Sequence, residues 1–142
     1  MAATRYPFAL SDEEWRQRLT PDQYLVLRGR GTERPESCML LREKRAGAFA
    51  CAGCNQKLFG ADAKFESETG WPSFGAPLDG AIGTTVDRSY GMERIEVHCT
   101  NCGSHLGHVF DDGPPPTGQR FCINGVAMKF RPEVVTPRAE LA

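Results

Sequence analysis

Long apolar segments, charge imbalance and low-complexity tracts are all missing from this chain. No apolar run approaches the roughly 20 residues that a membrane-spanning helix requires. The formal net charge is only −1, so the composition gives no electrostatic reason to expect binding to nucleic acid or to an anionic membrane. The N-terminal residues lack the apolar core of a secretory signal, and we therefore expect a cytoplasmic protein with no membrane partner.

The size and composition of the chain are those of a small globular protein. A length of 142 residues predicts a single domain spanning residues 1–142, with a core over about residues 11–130 and a tail after about residue 132. The 15 glycines and 10 prolines favour a loop-rich or all-β fold over a helix bundle. For a chain of this size we take a monomer as the default.

Two helix start signals lie near the N-terminus. Ser11 followed by Glu14 fits a capping box, and Trp15 and Leu19 then share one helix face. Thr20-Pro21-Asp22-Gln23 is a second such signal, and Gly29 is the expected cap at the end of that helix. The sequence therefore predicts two short helices that pack on the rest of the domain.

Beyond Gly31, short apolar runs alternate with turn residues, which is typical of β-structure. Strands are predicted at Gly47–Ala50, Ile95–His98 and Arg120–Asn124, with a further candidate at Val126–Phe130. The run of Asp, Gly and Pro over Asp111–Pro116 predicts a loop.

Four of the six cysteines form two CxxC pairs, Cys51 with Cys54 and Cys99 with Cys102. Each pair can direct two thiolates at one ion, and four thiolates complete the closed tetrahedral shell of a structural zinc site. The alternatives are two redox motifs or four buried thiols, but two copies of this spacing favour one structural Zn²⁺. Because the two pairs lie far apart in sequence, such a zinc would join two halves of the domain.

Cys122 and Cys38 remain, and the neighbours of Cys122 favour a chemical role. In a strand, Arg120, Cys122 and Asn124 point to the same face, and the guanidinium is expected to lower the pKa of the thiol. A solvent-facing strand with an incidental cysteine is the alternative interpretation. His105 and His108 lie just after the second CxxC pair, and histidine is the usual proton carrier near neutral pH.

A compact aromatic segment, Gly70-Trp71-Pro72-Ser73-Phe74, lies between turn residues. An indole in such a loop can form an apolar wall for a small group such as a methyl, although ordinary core packing is an equally simple explanation.

Together these motifs resemble those of the methionine-R-sulfoxide reductase family, MsrB. The matching segments cover nearly the whole chain in order: Gly31-Thr32-Glu33-Arg34-Pro35, both CxxC pairs, Gly70–Phe74, His105–Phe110, Pro116-Thr117-Gly118 and Arg120–Asn124. The resemblance implies a mainly β fold: two antiparallel sheets in a barrel-like sandwich, with short N-terminal helices and a structural zinc site.

The resemblance also implies roles for particular residues. Cys122 corresponds to the nucleophile, Trp71 to the aromatic residue against the substrate methyl, and the four paired cysteines to the zinc ligands. His105, His108, Asn124 and Arg120 correspond to the polar groups around the sulfoxide, and Phe74 and Phe110 are further expected substrate contacts. The implied activity is thiol-dependent reduction of methionine-R-sulfoxide, free or in proteins, through a sulfenic acid and a disulfide that a thioredoxin-like protein reduces.

One position departs from the pattern of many members, which carry the resolving cysteine directly before Gly70. Thr69 occupies that position here. Cys38 is the cysteine left over, and we therefore expect it to resolve the oxidised Cys122.

Two other classes of function are compatible with parts of the sequence. A zinc-ribbon-like binding module would use the two CxxC pairs but would not need Cys122. A Cys-His hydrolase would need an oriented base and an oxyanion hole, which no motif here specifies.

Overall fold

The computed structural model describes residues 6–34 and 39–133. Two helices come first, α1 (Asp12–Arg18) and α2 (Pro21–Leu27). Both predicted capping boxes are present: Ser11 and Glu14 exchange backbone-to-side-chain hydrogen bonds of 2.9 and 3.1 Å, and Thr20 and Gln23 do the same at the start of α2. None of the helices described is long and apolar enough to cross a membrane.

The end of α2 differs in detail from the prediction. Arg28 is the C-cap, and Arg30, at φ 59°, takes the left-handed conformation that was expected of a glycine. Gly29 serves a different purpose, since a Cβ there would lie 2.6 Å from the carbonyl oxygen of Leu25. The chain therefore needs glycine at this position for close approach to the last turn of the helix.

Nine strands follow the helices in the part of the chain described. Their bounds are β1 Gly47–Cys51, β2 Lys57–Gly60, β3 Lys64–Phe65, β4 Ser73–Phe74, β5 Ile82–Asp87, β6 Arg94–Cys99, β7 His105–Phe110, β8 Arg120–Ile123 and β9 Met128–Pro132. They form two antiparallel sheets, one in the order β2-β1-β9 and the other in the order β3-β4-β8-β7-β6-β5. The mainly β prediction is confirmed, as a sandwich in which the described strands do not close a barrel.

The predicted strands at Gly47–Ala50 and Ile95–His98 are present, and the strand predicted at Arg120–Asn124 ends one residue early, at Ile123. The candidate strand at Val126–Phe130 is only half right. Its first residues belong to a 3₁₀ turn, Gly125–Ala127, and the strand begins at Met128.

Aromatic rings fill the space between the two sheets. Phe59 stacks on Phe74 with ring centroids 4.3 Å apart, and Phe49 meets the edge of Phe74 at 5.1 Å. Phe121 adds a fourth ring 6.0 Å from Phe59. Because Phe121 and Ile123 point into this core, the alternation along β8 turns Arg120 and Cys122 to the opposite face.

Gly107 allows β7 to lie close to β8, opposite Ile123. A Cβ at Gly107 would overlap the carbonyl oxygen of Cys122. The two strands can therefore keep their spacing only if this position carries no side chain.

We expect Gly107→Ala to lower the free energy of unfolding by about 2 kcal/mol or more, because it overpacks the contact between two strands. Gly80→Ala is the control: Gly80 has φ +70° but no atom within 4 Å of the added Cβ, so only a conformational cost of about 1 kcal/mol is expected. Urea unfolding measures both, and equal losses would contradict the steric explanation.

Candidate active site and metal centre

The four paired cysteines converge on one point between the sheets. Their Sγ atoms all lie within 4.8 Å of one another, and the separations between pairs are 3.7 Å for Cys51 to Cys102 and 3.6 Å for Cys54 to Cys99. Four sulfurs at about 2.3 Å from a zinc ion in a tetrahedron are separated by about 3.8 Å. The spacing and the donor atoms therefore fit a structural zinc site.

The backbone of the two CxxC segments follows the same path. The residue after each second cysteine, Asn55 or Gly103, has a positive φ, 72° and 75° respectively. Each donates its N–H to the carbonyl of the first cysteine of its pair at 2.8 Å. Asparagine and glycine tolerate this conformation better than other residues, which makes the turn readable from the sequence.

This centre links the two sheets, as its spacing predicted. Cys51 ends β1 of the three-stranded sheet, and Cys99 ends β6 of the six-stranded sheet. Hydrogen-bonding groups surround the sulfurs: the Gly53 N–H lies 3.3 Å from Cys51, and the Ser104 hydroxyl lies 3.1 Å from Cys102. Such contacts orient the thiolates of a closed metal site.

A separate cleft of about 230 Å³ opens beside β8. Its lining residues are Thr32, Thr69, Trp71, Arg94, Gly107, His108, Phe110, Arg120, Cys122 and Asn124. Cys122 lies between two neighbouring strands, opposite Ser73 of β4 on one side and His108 of β7 on the other. The predicted thiol, one of the predicted histidines and the predicted amide thus border one space.

The surroundings of Cys122 act on its thiol in opposite directions. Burial raises the pKa of Cys122, and the positive charge of Arg120 and the hydroxyl of Thr69 lower it less than burial raises it. Arg120 is shared with Asp112, which its guanidinium binds through two hydrogen bonds of 2.9 and 3.1 Å. Arg120 thus lowers the pKa of the thiol as expected, but desolvation is the larger effect and the net shift is upward.

His105 and His108 are each paired with a carboxylate. Nε2 of His108 lies 2.8 Å from Asp87, and Nδ1 of His105 lies 2.7 Å from the buried Glu96. Burial lowers the pKa of His108, and the Asp87 hydrogen bond opposes that effect. Sequence reasoning did not identify these carboxylates, although an acidic residue within the predicted strand Ile95–His98 was a signal for a buried partner.

The two histidines do not have equivalent positions. His108 borders the Cys122 cleft, whereas His105 is almost fully buried and borders a neighbouring polar cleft with Arg30 and Asp87. The rings meet edge to face with centroids 5.5 Å apart. His105 therefore contacts His108 but does not line the Cys122 cleft.

Glu33 forms hydrogen bonds to Trp71 and Asn124, two residues that line the cleft. The sequence did not assign Glu33 a role. Its N–H donates to the Asn124 amide oxygen at 2.8 Å, and its carbonyl accepts the Trp71 indole N–H at 3.0 Å. Its buried carboxylate accepts the N–H groups of Gly125 and Val126 at 2.8 and 2.9 Å. One residue thus positions both the aromatic wall and the amide.

The remaining predicted residues divide between the cleft and the core. Phe110 lines the cleft with the Arg120 guanidinium 4.7 Å from its ring centre, and Trp71 forms another wall. Phe74, expected to contact the substrate, is fully buried between Phe49 and Phe59 and does not reach the cleft. Cys38 lies outside the described residues.

We expect one zinc per chain by metal analysis. Cys99→Ser should lose that zinc and lower the melting temperature by about 10 °C or more, because a structural zinc contributes its binding free energy to folding. Cys122→Ser is the matched control and should keep both zinc and melting temperature. Full stability of metal-free Cys99→Ser protein would contradict a structural role.

The pH dependence of Cys122 alkylation follows from its raised pKa. In a Cys38→Ser background, iodoacetamide should react slowly at pH 7, and the rate should increase above about pH 9 as the thiolate forms. Arg120→Gln should shift this profile upward by about one pH unit, since it removes a neighbouring positive charge. Asp112→Asn should shift it downward, and a shift in the same direction for both variants would contradict the electrostatic account.

The chain was also compared with known proteins. The SelR domain family matches residues 19–132. A peptide methionine sulfoxide reductase MsrB from Methanosarcina barkeri is 56% identical over 124 residues, which is 87% of each chain. MsrB proteins from Leptospira interrogans and Pseudomonas putida are 49% and 54% identical over 90% and 84% of this chain, and over 98% and 91% of their own lengths. The chain therefore belongs to the MsrB family of SelR-domain proteins.

Proposed function

We propose that this protein is a peptide-methionine (R)-S-oxide reductase, which uses Cys122 to reduce methionine-R-sulfoxide to methionine. The observation that carries the proposal is the cleft that combines a half-buried thiol, an aromatic wall and a carboxylate-bound histidine. Names of the similar proteins agree with this activity.

The cleft matches the two halves of the substrate side chain. A methionine sulfoxide carries an apolar methyl and a polar S–O group on one chiral sulfur. Trp71 and Phe110 offer apolar surface for the methyl, and the indole is fixed in place by its bond to Glu33. His108 and Asn124 border the same space with polar groups for the oxygen.

In the proposed chemical step, the Cys122 thiolate attacks the sulfoxide sulfur. The oxygen accepts a proton and ends on the cysteine, so a thiol and a sulfoxide become a sulfenic acid and a thioether. The Cys122 sulfur loses two electrons and the substrate sulfur gains them. The zinc is remote from this exchange in the proposal and supplies stability alone.

His108 is the proposed proton carrier, with His105 in support. Asp87 binds Nε2 of His108, which leaves Nδ1 as the ring nitrogen that can exchange a proton with the substrate or the thiol. The Asn124 amide is held at both ends, by the Glu33 N–H and by the Leu106 carbonyl at 2.9 Å. It thus offers its remaining N–H from a rigid position.

Turnover requires a second thiol, which we propose is Cys38. The other four cysteines form the metal centre, and the segment that contains Cys38 begins after Glu33, whose carbonyl contacts Trp71 at the cleft. Cys38 would condense with the Cys122 sulfenic acid to a disulfide and release water. A thioredoxin-like dithiol would then reduce that disulfide by thiol exchange.

The cellular setting follows from the thiols. A metal centre of four thiolates and a thiol nucleophile both require a reducing compartment, so we propose the cytoplasm. The cleft is lined by residues of one chain, which is compatible with the proposed monomer of one domain.

The first test supplies the R and S epimers of a blocked methionine sulfoxide separately, with dithiothreitol as reductant. Wild-type protein should reduce the R epimer alone, and Cys122→Ser should reduce neither. Cys38→Ser should retain the dithiothreitol-driven reaction but lose turnover with thioredoxin. Reduction of neither epimer by folded, zinc-loaded wild type would exclude the enzyme and favour a binding module.

The second test separates the histidines. His108→Asn should lower kcat for the R epimer by about 100-fold or more, because it removes the proton carrier that borders the cleft. His105→Asn should have a smaller effect, since His105 acts through His108. The reverse order would assign the proton transfer to His105.

A further inference from the structure

Three hydroxyl groups form a chain of hydrogen bonds that leads to the cleft of Cys122. The Ser73 hydroxyl lies 2.8 Å from that of Ser67, and the Ser67 hydroxyl lies 2.8 Å from that of Thr69. Thr69 lines the cleft together with Cys122, and its hydroxyl lowers the pKa of that thiol. Ser73 is itself fully buried and is the register partner of Cys122 on β4.

The backbone of the loop determines where Thr69 points. Its two neighbours, Glu68 at φ 63° and Gly70 at φ 90°, both have positive φ values. A glutamate in this conformation costs about 1 kcal/mol or more, and such conformations persist where the surroundings impose them. The loop is therefore held in an unfavourable shape that turns the Thr69 hydroxyl toward the nucleophile.

The number of protons available indicates in which direction the three hydroxyls donate their hydrogen bonds. Each hydroxyl has one proton to donate. If Ser73 donates to Ser67 and Ser67 donates to Thr69, the Thr69 proton is free for Cys122, because its alternative acceptor, the Trp71 carbonyl, is 3.4 Å away. When Cys122 carries its proton, the same chain can reverse and end on the Trp71 carbonyl, which lies 3.2 Å from Ser73.

We propose that Thr69 is a catalytic residue of the reductase reaction, and that the Ser73-Ser67-Thr69 chain donates a hydrogen bond to Cys122 as its thiolate forms. A bond to an ionised acceptor is roughly twice as strong as one between neutral groups, and successive hydroxyls polarise one another. The chain thus offsets part of the cost that burial imposes on the thiolate. This role rests on the function proposed above and refines it.

Other charged or titratable groups also lie near the thiol, and a test of Thr69 has to leave them unchanged. Arg120 lies on the same strand, Asp112 pairs with it from the loop that precedes β8, and His108 lies opposite on β7. Arg94 borders the cleft from β6. None of these groups is altered by substitutions at positions 67 and 69.

The test compares Thr69→Val, which keeps the shape but removes the hydroxyl, with Thr69→Ser, which restores it. In a Cys38→Ser background, the pH profile of Cys122 alkylation by iodoacetamide should move upward by about one pH unit in Thr69→Val. Alkylation at pH 7 should fall about tenfold. Thr69→Ser should stay within about threefold of the parent, and Ser67→Ala should lie between the two.

A single turnover with the R epimer should slow about tenfold in Thr69→Val and recover in Thr69→Ser. Zinc content and circular dichroism confirm that each variant is folded. An unchanged alkylation profile in Thr69→Val, or an equal defect in Thr69→Ser, would overturn the proposal. Alkylation needs no sulfoxide, so a failure of the reductase function itself would appear separately, as a lack of R-epimer reduction by the parent protein.

Discussion

The antiparallel pairing of β8 between β4 and β7 is the constraint on which the site depends. It places Cys122 opposite both Ser73 and His108, so one register brings together the thiol, an imidazole and the hydroxyl chain. A slip of one residue would turn Cys122 into the aromatic core and Phe121 into the cleft. Burial of Phe121 and Ile123 excludes that slip, which means that core packing also sets the position of Cys122.

Two further sets of polar contacts stabilise the fold around this arrangement. Glu33 uses its N–H, its carbonyl and its carboxylate to join the segment after α2 to Trp71, Asn124 and the turn that follows β8. The cysteine centre joins β1 to β6. Both are polar arrangements inside a protein, where an unpaired group carries a desolvation cost. The bonds of Glu33 hold Trp71 and Asn124 in place at the cleft.

In the cleft, burial and specific polar partners shift the pKa values of ionisable groups in opposite directions. Burial shifts the pKa of Cys122 upward and that of His108 downward, so it disfavours charge on both. Arg120, Thr69 and Asp87 each favour a charged form but do not outweigh burial in the absence of substrate. In the absence of substrate, such a site disfavours the thiolate, which is the form of cysteine that oxidises most readily.

Local patterns in the sequence were enough for the capping boxes, the alternation along β8 and the two CxxC turns. In each of these the physical cause acts within a few residues: a side chain reaches its own backbone, or successive side chains alternate across a strand. The same local reasoning failed at Phe74. This residue belongs to the same motif as Trp71, but its side chain faces the core and stacks on Phe59. Local reasoning also failed at Val126, where a turn capped by a distant carboxylate delays the strand.

The sequence by itself determined which chemical groups are available. They are six thiols, four of which belong to two CxxC pairs, two histidines close together, and an arginine two residues from a cysteine. Only the tertiary structure decided which of these groups meet. The pairing of His108 with Asp87, the bonds of Glu33 and the position of Ser73 opposite Cys122 all join residues of separate loops or strands. Strand order and register determine which groups become partners, and desolvation then shifts their pKa values. Neither effect can be read from the spacing of residues along the sequence.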